Sequence, residues 1–303
     1  MRNPSLEIGL LTSLLLLTGA ASAADPAPSA TPPPAPYSLP WQLRPAQPVS
    51  VVRSDTTLAL HEGPDGKGTF TLVSLLLASY KVTPELAPFV RIGVAGNPGG
   101  AAATNLAAGA TLGVPLGRSV RMAFFLGLAL PIGSGGGDTP DPGAQGAVRA
   151  GVLDRSAMDN AMFAVNDLTL FPGVDVAYVA GGWTVQLEAT VLALSRLRGE
   201  KVQVDASKTN LTTGLHVGYF LLPELSVGAE LRYQRWLSSP AAVAADATGD
   251  SRDNLTFAAG PRAHLQLARS LWIRPGISYS RGLDLPMSNA GYNILQVDVP
   301  VLF

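Results

Sequence analysis

Residues 295–303 constrain the fold more than any other stretch of the chain. Leu295, Val297, Val299, Val301 and Phe303 fall on one side of an extended strand, and Gln296, Asp298, Pro300 and Leu302 on the other. Such period-two alternation suits a strand with one face against an oily phase and the other against water. If the oily phase is lipid, the sheet must close on itself, because an unpaired N–H or C=O costs several kcal/mol in hydrocarbon.

The pattern repeats along the chain. Twelve segments of strand length alternate in this way, near 50–61, 68–81, 87–95, 103–116, 118–131, 169–180, 183–197, 200–220, 224–238, 253–268, 270–283 and 291–303. Short connections (83–85, 117–118, 180–182, 222–224, 269–270) alternate with longer ones (61–68, 96–102, 133–168, 197–201, 238–254, 283–290). Transmembrane barrels keep tight turns on the periplasmic side with both termini, and longer loops outside. The expectation is an all-β fold: a transmembrane, antiparallel, up-and-down β-barrel of about twelve strands, with ten or fourteen as alternatives.

A closing strand that ends on Phe303, with Tyr292 upstream and the row Leu295, Val297, Val299 and Val301 between them, resembles the C-terminal signature of bacterial outer-membrane barrels. The resemblance implies that the barrel-assembly machinery reads this strand. At the other end, Arg2 precedes the apolar run 8–17, and Ala21-Ser22-Ala23 supplies a small-x-small cleavage pattern, so 1–23 reads as a cleavable signal peptide. Residues 24–48, crowded with Pro and Ala, read as an extended, unpacked periplasmic leader, and 49–303 as the barrel. The expected location is the bacterial outer membrane, with its lipid as one partner. Aromatic side chains gather at strand ends, with Tyr80, Tyr178, Trp183, Tyr219 and Phe303 beside short turns and Tyr233, Trp236, Tyr279 and Tyr292 toward long loops. Two such girdles favour a lipid-facing barrel over a soluble one with its apolar face inside.

Composition removes other classes. Charged residues make up 14% of the chain and the net charge is −1, which leaves no electrostatic footprint for nucleic acid. With no cysteine there are no disulfides, and three scattered histidines give no metal-ligand spacing and imply no cofactor. Outer-membrane phospholipases carry a His-x-Ser-Asn type motif, whereas His216 is followed by Val217-Gly218 and His264 by Leu265-Gln266, so an outer-membrane hydrolase is the weakest reading.

Strand parity sends Arg53, Asp55, Arg91, Arg121, Asp175, Glu188, Glu230, Arg232, Arg262, His264, Arg274 and Asp298 inward. These residues suit a water-filled lumen that passes small polar solutes, with charge selectivity set by its walls. A narrow channel is the reading taken; the alternative is a closed ion-pair network in a sealed structural or adhesive barrel that acts through its extracellular loops, since buried charges must be paired. The loop 133–168 opens on a glycine run and continues with an apolar stripe, Ala147, Val148, Val152, Met158, Met162 and Val165, opposite Arg149, Asp154, Arg155 and Asp159. It either folds into the mouth or packs as a helix on the outer rim.

Overall fold

The computed structural model describes residues 37–63, 65–199 and 205–303. The expected signal peptide, and the leader as far as residue 36, lie outside the described residues. Among the described residues, twelve antiparallel strands form one closed sheet. They are β1 (Val51–Glu62), β2 (Gly68–Ser79), β3 (Leu86–Asn97), β4 (Gly100–Ala103 and Leu106–Pro115), β5 (Val120–Leu130) and β6 (Asp167–Ala180). The second half is β7 (Trp183–Arg196), β8 (Ser207–Leu222), β9 (Leu225–Trp236), β10 (Asp253–Ala263, continued by Leu265–Gln266), β11 (Trp272–Ile273 and Gly276–Gly282) and β12 (Asn293–Leu302). Each strand pairs with its sequence neighbour, and β1 closes on β12 from Val51↔Leu302 to Leu60↔Asn293.

The polarity is that of a membrane barrel. Leu126 is 54% exposed and Leu187 58% on the outer wall, while Glu230, Arg232 and Asp298 are 0% exposed inside. A soluble barrel would show the opposite, so this contrast decides between the two. On β2, where the sequence blurs the period, Leu72 and Leu76 face out and Val73 and Leu75 face in. The hydroxyls of Thr56 and Ser74, on the outer wall of β1 and β2, bond each other at 3.0 Å and so are not left bare toward hydrocarbon.

Turn chemistry sets the hairpins. Gly181 and Gly182 adopt φ +57° and +83° between β6 and β7, the left-handed pair that a two-residue hairpin requires. The connection expected to be long at 96–102 is instead a tight turn at Pro98-Gly99, where Asn97 Oδ1 accepts from the amides of Gly99 and Gly100. The alternation of short and long connections therefore has one exception. β8 begins at Ser207, and the earlier part of the expected strand at 200–204 lies outside the described residues.

Among the described residues, two segments enter the barrel. Residues 37–48 lie inside it, with Trp41, Leu43 and Ala46 buried, so this part of the leader is packed and not extended away from the barrel as expected. The physical reason is a period-two apolar row, Tyr37, Leu39, Trp41 and Leu43, which buries against the inner wall. From the long-loop end, the β5–β6 connection carries α1 (Pro142–Asp154) and α2 (Asn160–Phe163) inward. Asp141 caps α1 by accepting from the Ala144 amide at 2.7 Å, and Pro142 occupies its first turn. Of the expected stripe, Ala147, Val148, Met162 and Val165 are buried in one cluster with Val73, Leu75, Phe125, Phe171, Leu192 and Leu194 of the wall, Val152 packs on it partly buried, and Met158 is buried outside that cluster. The charged face opposite is also buried at Asp154, Arg155 and Asp159, because the surface it meets is the charged wall of β1 and β3.

Candidate functional site: the barrel lumen

The inner wall holds the segment 37–48 mainly by its backbone. Amides are accepted by carboxylates and a hydroxyl: Trp41 N and Gln42 N by Glu230, Arg44 N by Glu188 at 2.6 Å, and Ser38 N by Thr184 Oγ1 at 3.0 Å. Carbonyls receive guanidinium and amide donors. Arg262 donates to Leu39 O at 3.0 Å and to Pro40 O at 3.3 Å, and Arg53 donates to Pro40 O at 3.0 Å and to Trp41 O. Gln296 also reaches Trp41 O, at 3.2 Å, and Gln186 reaches Arg44 O.

Glycines in the wall make room for the side chains. A Cβ on Gly214 would lie 2.7 Å from Leu43, one on Gly218 2.3 Å from Ser38 Oγ, and one on Gly113 2.4 Å from Pro48. These are steric overlaps, so any larger residue there and the inserted segment compete for one space.

At the long-loop end, Arg155 donates to both oxygens of Asp55, at 3.0 and 2.6 Å, and to Asp159 at 2.9 Å, while Arg91 of β3 also pairs with Asp159. Thr57 Oγ1 donates to Asp154 at 2.8 Å. Burial raises the Asp154 carboxyl to about 7, against lowering by the Thr57 hydrogen bond and the Arg155 charge. Burial also acts on Asp159, but Arg91 and Arg155 outweigh it and hold that carboxyl well below the usual range. Asn105, at the break in β4, fastens α2 from the side by donating to Ala161 O and Ala164 O at 3.0 and 2.9 Å.

The two inserts meet through the wall. Gln296 Nε2 donates to Trp41 O of one and, at 2.8 Å, to Asp55, the partner of Arg155 of the other. Its Oε1 accepts from Arg232, which also pairs with Glu230. Between the inserts and β1–β4 a cavity remains, with about 80 Å³ open to the centres of water molecules. Its apolar lining includes Leu75, Leu77, Phe89 and Met162, with Phe171 of β6 and Leu192 of β7 closing it on the far side, and Arg53, Asp55 and Arg91 are among its polar groups.

The sequence-derived lumen residues do face inward. Asp298 pairs with both Arg53 and Arg262, Glu230 with Arg232, and Glu188 with Arg44. Asp175 lies opposite Glu188 in the β6–β7 register and accepts from Gln186 at 2.8 Å. Arg121 reaches Gln47 of the inserted segment at 2.9 Å, and Arg274 lies 5.2 Å from the Trp272 ring. His264 bonds Ser226 at 2.8 Å, a pair the sequence reading missed, and among the described residues its Nδ1 meets no hydrogen-bond partner. Also missed were Trp41 and Arg44, for which the apolar alternation at 37–43 was the available signal.

On β12, Leu295, Val297 and Phe303 are exposed outward, with Val299 and Val301 on the same side. Tyr292 is buried and stacks on His61 at 4.3 Å, and Trp236 packs against the inner core, so neither belongs to the long-loop girdle expected of them. Both have the parity of the inward-facing residues on their strands. Among the described residues no group of three or more His, Asp or Glu side chains is placed to hold a metal ion.

No family model matches the sequence, and no curated relative does. The fold is matched among solved structures. The COG4313 outer membrane channel from Pseudomonas putida F1 gives a TM-score of 0.51 at 12% identity, covering 87% of this chain and 98% of that one. The NanC porin gives 0.49 at 7% identity over 81% and 98%, and the KdgM porin in complex with disordered oligogalacturonate 0.48 at 11% over 83% and 99%. At these identities the likeness is one of fold, a closed antiparallel β-barrel like those of the outer-membrane proteins named.

Proposed function

We propose that the protein is a gated outer-membrane channel and not an enzyme, closed in this conformation by the segment 37–48 and by the inserted 133–168 loop, and opened when the segment withdraws toward the short-turn end and the loop undocks. One observation carries the reading: the segment is held in the lumen wholly by non-covalent contacts with wall residues, in glycine notches shaped to it. Withdrawal exposes Glu188, Glu230, Arg262, Gln186 and Gln296, a polar wall suited to a small hydrophilic solute. Arg232, Arg274 and Asp298 add to the charge pattern that sets its selectivity.

The pairing of wall charges favours a second reading, a sealed structural barrel. One experiment separates them. In this cysteine-free chain, Leu43→Cys with Gly214→Cys places two thiols within about 4.5 Å at Cβ, inside disulfide reach. Single-channel recordings of the protein from Ala24 onward are then made in a planar bilayer. Steps present under reductant and abolished by oxidant support the gated channel. Silence under both conditions, from protein shown to be inserted, supports the sealed barrel.

A further inference from the structure

The wall contacts to residues 38–44 have an unusual bias. Ten hydrogen bonds from wall side chains end on backbone amides or carbonyls. Over the whole segment 37–48 fewer reach side chains: Gln186 meets the Tyr37 hydroxyl, Ser226 the Ser38 hydroxyl, Glu188 the Arg44 guanidinium and Arg121 the Gln47 carboxamide. Every residue has a carbonyl and every residue except proline an amide, so a wall that addresses the main chain reads an extended conformation and not a sequence. The amide donors used are those of Ser38, Trp41, Gln42 and Arg44, while Pro40 and Pro45 sit where no donor is taken.

The donors and acceptors are also strong and fixed. Seven of the ten engage the carboxylates of Glu230 and Glu188 or the guanidiniums of Arg262 and Arg53 and are charge-assisted, while Thr184, Gln186 and Gln296 make neutral bonds. Their geometry is held from behind, since Arg262 and Arg53 share Asp298 and Arg232 braces Glu230. A vacated wall of this kind presents carboxylates and guanidiniums spaced for the amides and carbonyls of an extended chain.

We propose that this wall, once residues 37–48 withdraw, is a binding site for extended oligopeptides supplied from outside the chain, the inserted segment being the occupant they replace. The proposal rests on the gated-channel reading and names the ligand class of the same lumen. Charged groups that pair with main-chain amides and carbonyls recognise a peptide of seven or so residues in extended form with little regard for side chains, apart from the sizes that the glycine notches admit.

The test uses the full chain from Ala24 with Trp41→Gly and Leu43→Gly, changes confined to the inserted segment and outside every strand. Three probes are added from the short-turn side during single-channel recording: a dodecapeptide with the sequence of residues 37–48, a scrambled dodecapeptide of equal composition, and a polyethylene glycol of similar length. The expected result is reversible blockade by both peptides and not by the glycol, with Glu188→Gln or Gln186→Leu shortening blockades about tenfold. Steps without peptide blockade, or blockade by the unscrambled peptide alone, overturn the proposal and leave the gate standing. If no steps appear, the gated reading fails. Fluorescence anisotropy of a dye-labelled scrambled peptide on the same variant in detergent then decides the binding site: saturable binding that Glu188→Gln weakens supports it, and no binding overturns it.

Discussion

Arg155, at the C-cap of α1, donates to both carboxylate oxygens of Asp55 on β1, a residue one hundred positions earlier, with both side chains enclosed by the barrel. Removing one partner leaves a buried charge alone, which costs about 3–5 kcal/mol. Arg155→Met is therefore expected to undock the 133–168 loop, making it susceptible to protease added from outside. Asp55→Asn in the same chain is expected to recover much of the protection, because the orphaned charge is then gone. Protection unchanged in the single variant counts against the pair as the anchor of the loop.

Asp154 makes the same docking depend on pH. Its carboxyl, on the inserted loop and outside the membrane-spanning strands, is raised from 3.8 to about 7 by burial, beside Asp55, Arg155 and Tyr292. The docked state thus holds the proton more tightly than the undocked one. The stabilisation is complete below about pH 4 and is lost as pH rises through 7, with the docked fraction falling by up to about tenfold per unit in between. Protease sensitivity of the loop should increase from pH 5 to pH 8, and Asp154→Asn should flatten that rise. A steeper rise in Asp154→Asn would reverse the assigned sign.

Gly214 gives a steric test of the inner segment. Gly214→Val inserts a branched side chain where a Cβ alone would already lie 2.7 Å from Leu43. Ion conductance should appear or increase, and Leu43→Gly in the same chain should return it toward the closed level. Equal conductance in all three proteins would detach the notch from the gate.

Glu188 and Glu230 accept amides of the segment and are the acidic part of the wall it leaves behind. Changing both to Gln is expected to shift reversal potentials in a salt gradient toward anions in any open state. Unmoved potentials would remove these two residues from the conducting path.

Leu126, central in β5 and 54% exposed, tests the outer wall. Leu126→Arg places a charge against lipid and should destabilise the barrel in bilayers by about 2–4 kcal/mol. Denaturant unfolding in vesicles reads this directly, and a change near zero would put that face outside the hydrocarbon.

Much of the architecture was readable because a strand records its two environments residue by residue. β7, β9 and β12 show their lipid and lumen rows without ambiguity, and the inward parity of Glu188, Glu230, Arg232 and Asp298 followed from them. What parity does not record is what fills the interior. A leader rich in proline reads as solvated, yet its alternating Tyr37, Leu39, Trp41 and Leu43 are met by a wall notched with glycine some 170 residues later. Likewise Asp154, Arg155 and Asp159 look like the wet side of a helix until the wall they face proves to be charged. Tyr292 and Trp236 show the related limit: an aromatic near a strand end marks an interface only if its parity also points outward.

The chain turns from lumen to wall between Pro48 and Val51, and Val51 is the first rung of the β1–β12 seam. The inserted segment is therefore tethered within three residues of the place where the ring shuts. It must already lie within the curving sheet when that seam zips, or be drawn in through the mouth afterwards. The order of these two events fixes whether a newborn barrel is leaky before it is tight.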